Sequence, residues 1–597
     1  MAGPRAAAKR RTARTGASWN LGDLLRDPLR DLELLRKEVD EQVRRFEALR
    51  ERLSPDLPAG TFLEALRLAD TIARTTSRLG AYAYLWFSEN TKDQRARSFK
   101  AIVEELQAEL ANRMLFFDLW WQKLDDANAG RLLAVAGDYT YHLESLRRFR
   151  EHALSEPEEK IINVKSVTGR QAVVGLYEIL TSGLSYQLKA KGRARTLTRE
   201  ALMVYVRDPD ARVREAAYRA LFRVYAANAD VLGDVYKTLV MDWKQENLGL
   251  RKHRSPIAVR NLSNDIPEDA VEVLLNVCAA NAGVFQDYFK LKARLCRIKK
   301  MNRYHIYARF RESDKRYTFA NGSTMVLEAY RGFSPRLADL AERVFDERHV
   351  DAAVHPGKIG GAYCYSVIPG VTPYVLLNFK GDVRDIATLA HELGHAVHGM
   401  LAAGHSVFTF HATLPLAETA SVFGERILAD ALMAGERDKA VKQGLLIRQL
   451  DDVYATILRQ AYFVRFEREA HRIVGGGGTM DDLCGVYLAE LRRQFGRAVA
   501  VPDEFRWEWL TIPHLFASPF YCYAYSFGNL LVLALYGLYK AQGASFVPRY
   551  LELLAAGGSR APESLLKDFG VDIRSEAFWQ TGFETIKGMV RELEATA

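Results

Sequence analysis

Cysteine is scarce: the chain has five in 597 residues, Cys278, Cys296, Cys364, Cys484 and Cys522, odd in number and without paired spacing. That excludes a disulfide framework and a Cys-built metal site, and it suits a reducing compartment. Low-complexity blocks are lacking too, and 48% of the residues are hydrophobic, so the composition is that of a large globular protein with ample core. No acid precedes Asp23, whereas Arg5, Lys9, Arg10, Arg11 and Arg14 do, so more than half of the net charge of +9 sits in a short tail. The rest is nearly balanced, which removes the usual argument for nucleic acid or an anionic membrane. Residues 1–20 have no apolar run of a secretory signal and are expected to be a solvated, disordered basic tail. Asp, Glu, Lys and Arg are absent from Leu510 to Tyr539, long enough to raise a membrane span. The prolines, His514, Asn529 and tyrosines inside that stretch instead favour a helix lining a cavity in a soluble protein. The expected location is cytoplasmic, with no membrane or nucleic-acid partner. The oligomeric state stays open.

What the chain does have is helical periodicity. Leu29, Leu32, Leu34, Leu35, Val39 and Val43 make an apolar face in a charged segment, and 62–80 and 98–124 behave alike. Phe116, Phe117, Trp120 and Trp121 at helical spacing read as core. Residues 184–197 turn at Lys191-Gly192 and read as a hairpin. Basic residues crowd 291–317, Lys292 and Arg303 among them, and are expected to be a solvated helix face and loop. The domain division expected is 21–195, an N-terminal helical domain, and 196–597, a catalytic domain.

The chemistry centres on His391-Glu392-Leu393-Gly394-His395. On a helix, residues four apart share a face, so His391 and His395 can hold one Zn²⁺ while Glu392 stands beside the open coordination position. Asp382 and Asp385 can cap that helix. A third His at the metzincin position is missing, since Leu401 stands there, so the third ligand must come from elsewhere. The helical segment 415–428 offers Glu418 and Glu425, two turns apart on one face. Glu418 is the candidate ligand, and Glu425 the carboxylate that orients a ligand imidazole, although the spacing alone does not rank them. Just upstream, 362–368 and 373–379 are Tyr/Val-rich runs about a Pro-Gly turn, an expected antiparallel hairpin beside the metal helix. Its exposed strand edge could hold a substrate backbone, with Gly360, Gly361 and Ala362 allowing close approach.

His-Glu-Leu-Gly-His-Ala-Val-His from 391 and Ala-Glu-Thr-Ala-Ser-Val-Phe-Gly-Glu from 417, with Gly357-Lys-Ile-Gly-Gly-Ala-Tyr-Cys364 and Ile512-Pro-His514, resemble the thimet oligopeptidase and neurolysin family of zinc metallopeptidases, specifically its oligoendopeptidase F branch. The resemblance runs from about residue 154 onward. It implies a mainly α, multi-helical zincin with a small sheet beside the active-site helix and a deep substrate channel. It also implies hydrolysis of internal bonds in oligopeptides, one Zn²⁺ on His391, His395 and Glu418, and Glu392 as the base. His514 matches a residue that hydrogen-bonds substrate beside the metal. Tyr525, or Tyr521 one turn earlier, matches a phenol that donates to the oxyanion. A carboxypeptidase or dipeptidyl carboxypeptidase could use the same metal site, and a non-enzymatic peptide or nucleic-acid binder is the remaining rival.

Overall fold

The structure, a computed structural model, describes residues 18–310 and 315–596. Most of the basic tail expected over 1–20 lies outside the described residues. Its end does not behave as a solvated tail: Trp19 is buried, with its ring edge-on to Tyr374 at 5.9 Å.

The elements that matter here, in chain order, are α1 (Pro28–Ala48), α2 (Ala59–Glu89), α3 (Gln94–Lys123), β1 (Tyr186–Ala190), β2 (Arg193–Leu197), α4 (Arg199–Tyr205), α5 (Ala211–Ala227), α6 (Phe319–Phe333), β3 (Val350–Asp351), β4 (Tyr363–Tyr365), β5 (Tyr374–Leu376), α7 (Val383–Leu401), α8 (Thr419–Gly435), α9 (Arg459–Gly475), α10 (Pro513–Ala517) and α11 (Tyr523–Gln542). Further helices fill the intervals, so the protein is mainly α with little sheet. The described residues form two compact units, each discontinuous in sequence: 18–156, 315–434 and 538–571 make the first, and 157–310, 435–537 and 572–596 the second. A domain cut at 195/196 would fall inside β2.

In the first unit, α1 starts where Asp27 accepts the Arg30 N–H and Pro28 presets the first helical turn. Its apolar face, with Val39, Val43 and Phe46, packs on α2 and α3. The aromatics expected to be core are core: Phe46 lies 5.5 Å from Phe116 and 5.4 Å from Phe117, and Trp121 stacks on Phe62. The same apolar cluster continues into Tyr374 and Leu376 of β5, so the N-terminal helices form a floor under the sheet. That sheet has the order β3-β5-β4, with β4 antiparallel and β3 parallel to β5. The hairpin predicted from 362–379 is therefore present, with shorter strands than its composition suggests and with β3 added on its far side.

In the second unit, β1 and β2 pair from Tyr186↔Leu197 to Ala190↔Arg193. The turn is the expected Lys191-Gly192, both residues with positive φ (52° and 73°), the backbone a tight two-residue hairpin demands. In the basic stretch 291–317, Arg294, Arg297, Lys299, Lys300, Arg309, Lys315 and Arg316 are exposed as expected, but two cations are not. Lys292 is fully buried and gives its Nζ protons to Asp451 at 2.6 and 2.7 Å, and Arg303, 1% exposed, pairs with Glu508. Both acids lie far downstream, so local composition could not show that these cations are neutralised inside the fold. By length and composition, residues Tyr523–Ala555 could cross a membrane, but every residue from Tyr523 to Tyr536 except Tyr525 is packed inside the protein.

Candidate active site

The site is built at the junction of α7 and α8 in the first unit. α7 opens with a reciprocal cap: Asp382 accepts the Asp385 N–H at 3.0 Å, and the Asp385 carboxylate accepts from the backbone of Lys380, Gly381 and Asp382. One turn apart on that helix, His391 and His395 stand with ring centroids 4.9 Å apart. Glu418 occupies the turn before α8, and its Oε2 lies 3.3 Å from His391 Nε2 and 3.5 Å from His395 Nε2. One donor atom from each of these residues falls within 4.8 Å of the others. Glu425 reaches the other side of the ring, its Oε1 2.5 Å from His391 Nδ1. With Nδ1 donating to Glu425, Nε2 is the nitrogen that faces the shared point, and it would ligate a metal that displaces its proton. Ser421 Oγ donates to Glu418 Oε2 at 2.7 Å and fixes that carboxylate.

Two glycines permit this approach. A Cβ on Gly394 would lie 2.6 Å from the Ala420 carbonyl oxygen and 2.6 Å from Ser421 Cα, so α7 and α8 touch backbone to backbone. A Cβ on Gly424 would collide with the Tyr330 hydroxyl of α6; that hydroxyl donates to the Ala390 carbonyl at 2.5 Å, beside the first imidazole. Neither glycine nor Tyr330 was singled out by motif reading. Their signal is a glycine inside a helix, which costs about 1 kcal/mol relative to alanine and therefore marks a packing constraint.

The electrostatics call for a cation. Burial works against a charged His391, but the Glu425 hydrogen bond and the charges of Glu425, Glu418 and Glu392 outweigh it and push the imidazole up to about 10. Burial pushes His395 down to about 4, leaving a neutral ring with a free lone pair. Glu392, only 6% exposed, is pushed up to about 7 by burial, and the Cys364 backbone N–H of β4 donates to it. A buried carboxylate near neutral is suited to taking and returning a proton. Two imidazole nitrogens, one carboxylate oxygen and an oriented second carboxylate fit a divalent metal with an open position.

β4 runs along this helix as an outer strand of its sheet. The loop feeding it, which carries Gly360, Gly361 and Ala362, is held from beneath. Asn378 Nδ2 donates to the Ile359 and Gly361 carbonyls at 3.0 and 2.9 Å. Lys358, buried, gives its protons to Asp351 Oδ1 and to the Asp351, Ala353 and Leu377 carbonyls, all within 3.1 Å. Gly361 takes φ +83°, and a Cβ there would meet no atom within 4 Å, so the loop's outer surface is open.

His514, Tyr521 and Tyr525 belong to the second unit, which brings them together. Tyr525 Oη lies 3.4 Å from His514 Nε2, and Tyr521 stacks on the same imidazole at 5.4 Å. The turn between α10 and α11 is tied down at Phe520, whose φ is +57°. Its N–H donates to Glu467 Oε1 of α9 at 2.7 Å, and Arg260 Nε donates to the Pro519 carbonyl at 3.1 Å. Burial pushes Glu467 up to about 8. A carboxyl raised in the folded state stabilises it fully below the unfolded value of about 4.3 and loses that contribution as pH rises through about 8. Glu467→Gln keeps an acceptor for Phe520 but cannot ionise. Its stability relative to wild type should therefore rise between those limits, by on the order of a few kcal/mol, then level off. Thermal unfolding of both proteins from pH 5 to 9 checks this; a pH-independent difference would contradict it.

A HExxH helix whose two imidazoles meet a glutamate from the turn that leads into the following helix, with its own glutamate buried alongside, defines a metallopeptidase site. The chain belongs to peptidase family M3, which it matches over residues 204–585, and residues 120–186 match a second family described as oligopeptidase F. It is 24% identical to an oligoendopeptidase F homolog of Borreliella burgdorferi over 89% of this chain and 91% of that one. Its fold is shared with a crystal structure of oligoendopeptidase-F from Enterococcus faecium, with a TM-score of 0.72 at 21% identity over 96% of this chain and 99% of that one. A Chlamydophila abortus peptidase structure gives a TM-score of 0.83 at 22% identity, covering 97% and 98%. The protein is thus a metallopeptidase, and its family implies a bound metal.

Proposed function

We propose that the protein is a zinc-dependent endopeptidase that cuts internal bonds of oligopeptides in the cytoplasm. The observation that carries this is the convergence of His391, His395 and Glu418 beside Glu392. Two imidazoles and one carboxylate are a catalytic zinc set, one position short of tetrahedral. The preference for internal bonds of oligopeptides is supported by the names of the oligoendopeptidase relatives. Five cysteines without a disulfide support a reducing compartment.

Zinc, when bound, supplies Lewis-acid polarisation of the scissile carbonyl and acidifies water. Glu392 takes the proton from the attacking water and returns it to the departing amide nitrogen. The outer edge of β4 pairs with the substrate backbone, which accepts many sequences while keeping the reacting carbonyl in register. Such pairing requires an extended peptide, so short unstructured peptides are substrates and stable folded proteins are not. Gly360, Gly361 and Ala362 supply the open approach to that edge.

His514 and Tyr525 are proposed to donate to the oxyanion, supported by the resemblance of Ile512-Pro-His514 and by the contact between the two side chains. Removing either donor should lower kcat by about 10²-fold with metal content unchanged. If Tyr525→Phe leaves kcat intact and Tyr521→Phe does not, the phenol role moves one turn earlier.

Metal content and product masses test the main reading. Peptides of graded length, with free and with amidated C-termini, should be cut internally at comparable rates by a protein carrying one zinc, and Glu392→Gln should lose the activity while keeping the metal. Cleavage confined to free C-termini would replace the endopeptidase with a carboxypeptidase or dipeptidyl carboxypeptidase.

A further inference from the structure

The β1–β2 hairpin of the second unit carries a cavity that the peptidase reaction does not use. Directly opposed residues on paired strands point to one face, so Leu188 with Arg195, and Ala190 with Arg193, all face the same way. Across from them stand Tyr205 at the end of α4 and Val213 of α5, and Lys191 closes one end from the turn. Together these residues line a half-open cavity of about 290 Å³, just under the usual range for small-molecule sites. Its floor is apolar: Leu188 and Val213 are 1% and 3% exposed.

Its rim is cationic and under-neutralised. The Arg193 side chain makes no hydrogen bond or ion pair among the described residues. Arg195 Nη1 donates to the Tyr205 hydroxyl at 2.6 Å, which turns the guanidinium along the wall and leaves its other donors free. Among the described residues, only Lys191 of the three has an acidic partner, Asp208 at 3.1 Å. Three cations against one acid leave two positive charges around one opening. Solvated surface charges are normally interspersed in sign; here two forked guanidiniums sit two residues apart on one strand face, above an apolar floor.

We infer that this cavity is a binding site for a small organic phosphate monoester, whose dianion meets Arg193, Arg195 and Lys191 while its apolar body lies against Leu188, Val213 and the Tyr205 ring. The charge decides for phosphate over carboxylate. A phosphate monoester carries about −1.5 to −2 at neutral pH and three acceptor oxygens, against one charge and two oxygens for a carboxylate.

The test is calorimetric titration of the full-length, metal-loaded protein with phenyl phosphate, inorganic phosphate and benzoate at fixed ionic strength, for wild type, Arg193→Ala, Arg195→Ala and the double variant. Both arginines are exposed, so the variants should unfold at the wild-type temperature. Phenyl phosphate should saturate one site, at least about 5-fold tighter than either other probe, and should weaken by about 10-fold per arginine removed, the scale of a charge-assisted hydrogen bond. The proposal is overturned if phenyl phosphate shows no saturable binding, if inorganic phosphate or benzoate binds as tightly, or if the double variant binds phenyl phosphate like wild type.

Discussion

Gly394→Ala should lose metal and peptidase activity together, although it leaves every ligand in the sequence. The new methyl would stand 2.6 Å from the Ala420 carbonyl oxygen, 2.6 Å from Ser421 Cα and 2.9 Å from the Ala420 carbonyl carbon. These are backbone atoms of the segment that carries Glu418, so no rotamer change relieves the clash. α7 and α8 must separate by something approaching 1 Å, and overpacking of this kind costs about 1–3 kcal/mol. The stability loss is the smaller part of the effect. Metal bonds tolerate about 0.2 Å, and a displacement near 1 Å in a catalytic constellation is enough for about a 10²-fold loss of rate. Zinc titration with peptide turnover on one preparation checks it, with Gly404→Ala as the control. Gly404 follows α7, and a Cβ there would touch nothing within 4 Å. Wild-type zinc affinity in Gly394→Ala would show that the helices can part without disturbing the donors.

The same glycine marks the limit of what the sequence discloses. Spacing within one helix is a local property, so the shared face of His391 and His395 and the Asp382/Asp385 cap were legible from the chain alone, as was the Lys191-Gly192 hairpin turn. Glu418 and Glu425 could be nominated because both fall in the segment 415–428 that reads as helical, although the helix is broken at Glu418, which sits in the turn before α8. Their division of labour could not be read from period, because it depends on how closely α8 approaches α7. Gly394, Gly424 and the Tyr330 hydroxyl set that distance, and Tyr330 comes from a helix about 60 residues upstream. Long-range charge pairing was equally hidden. Lys292 and Arg303 look like solvated cations until Asp451 and Glu508, some 160 and 205 residues away in sequence, are brought to them. Sheet register escaped for a related reason: β3 is two residues long and joins β5 in parallel, a pairing with no alternation to announce it. The lesson is about range. Caps, turns and helix faces are encoded within about seven residues, whereas the contacts that make a donor set into a site are made between distant segments.

Glu418→Ala and Glu425→Ala should separate into different phenotypes although both carboxylates contact His391. Glu418 Oε2 approaches the Nε2 atoms of both imidazoles, at 3.3 and 3.5 Å, and is itself oriented by Ser421. Glu425 reaches only His391 Nδ1, at 2.5 Å, on the side of the ring away from the shared point. Removing Glu418 therefore deletes a donor and leaves two imidazoles, too few for a stable catalytic site. Removing Glu425 leaves all three donors but frees the His391 ring and its tautomer, and partners of this kind are worth about 10- to 100-fold in metal affinity or activity. Glu418→Ala should accordingly be metal-free and inactive at any practical zinc concentration. Glu425→Ala should bind zinc more weakly and recover part of its activity as zinc is raised, and Glu425→Gln, which can still accept from Nδ1, should lie between it and wild type. Zinc titration followed by competition with a chelator ranks the variants. If Glu425→Ala proves unable to bind metal while Glu418→Ala binds normally, the two carboxylates exchange roles and α8 must slide by two turns relative to α7 when the metal is bound.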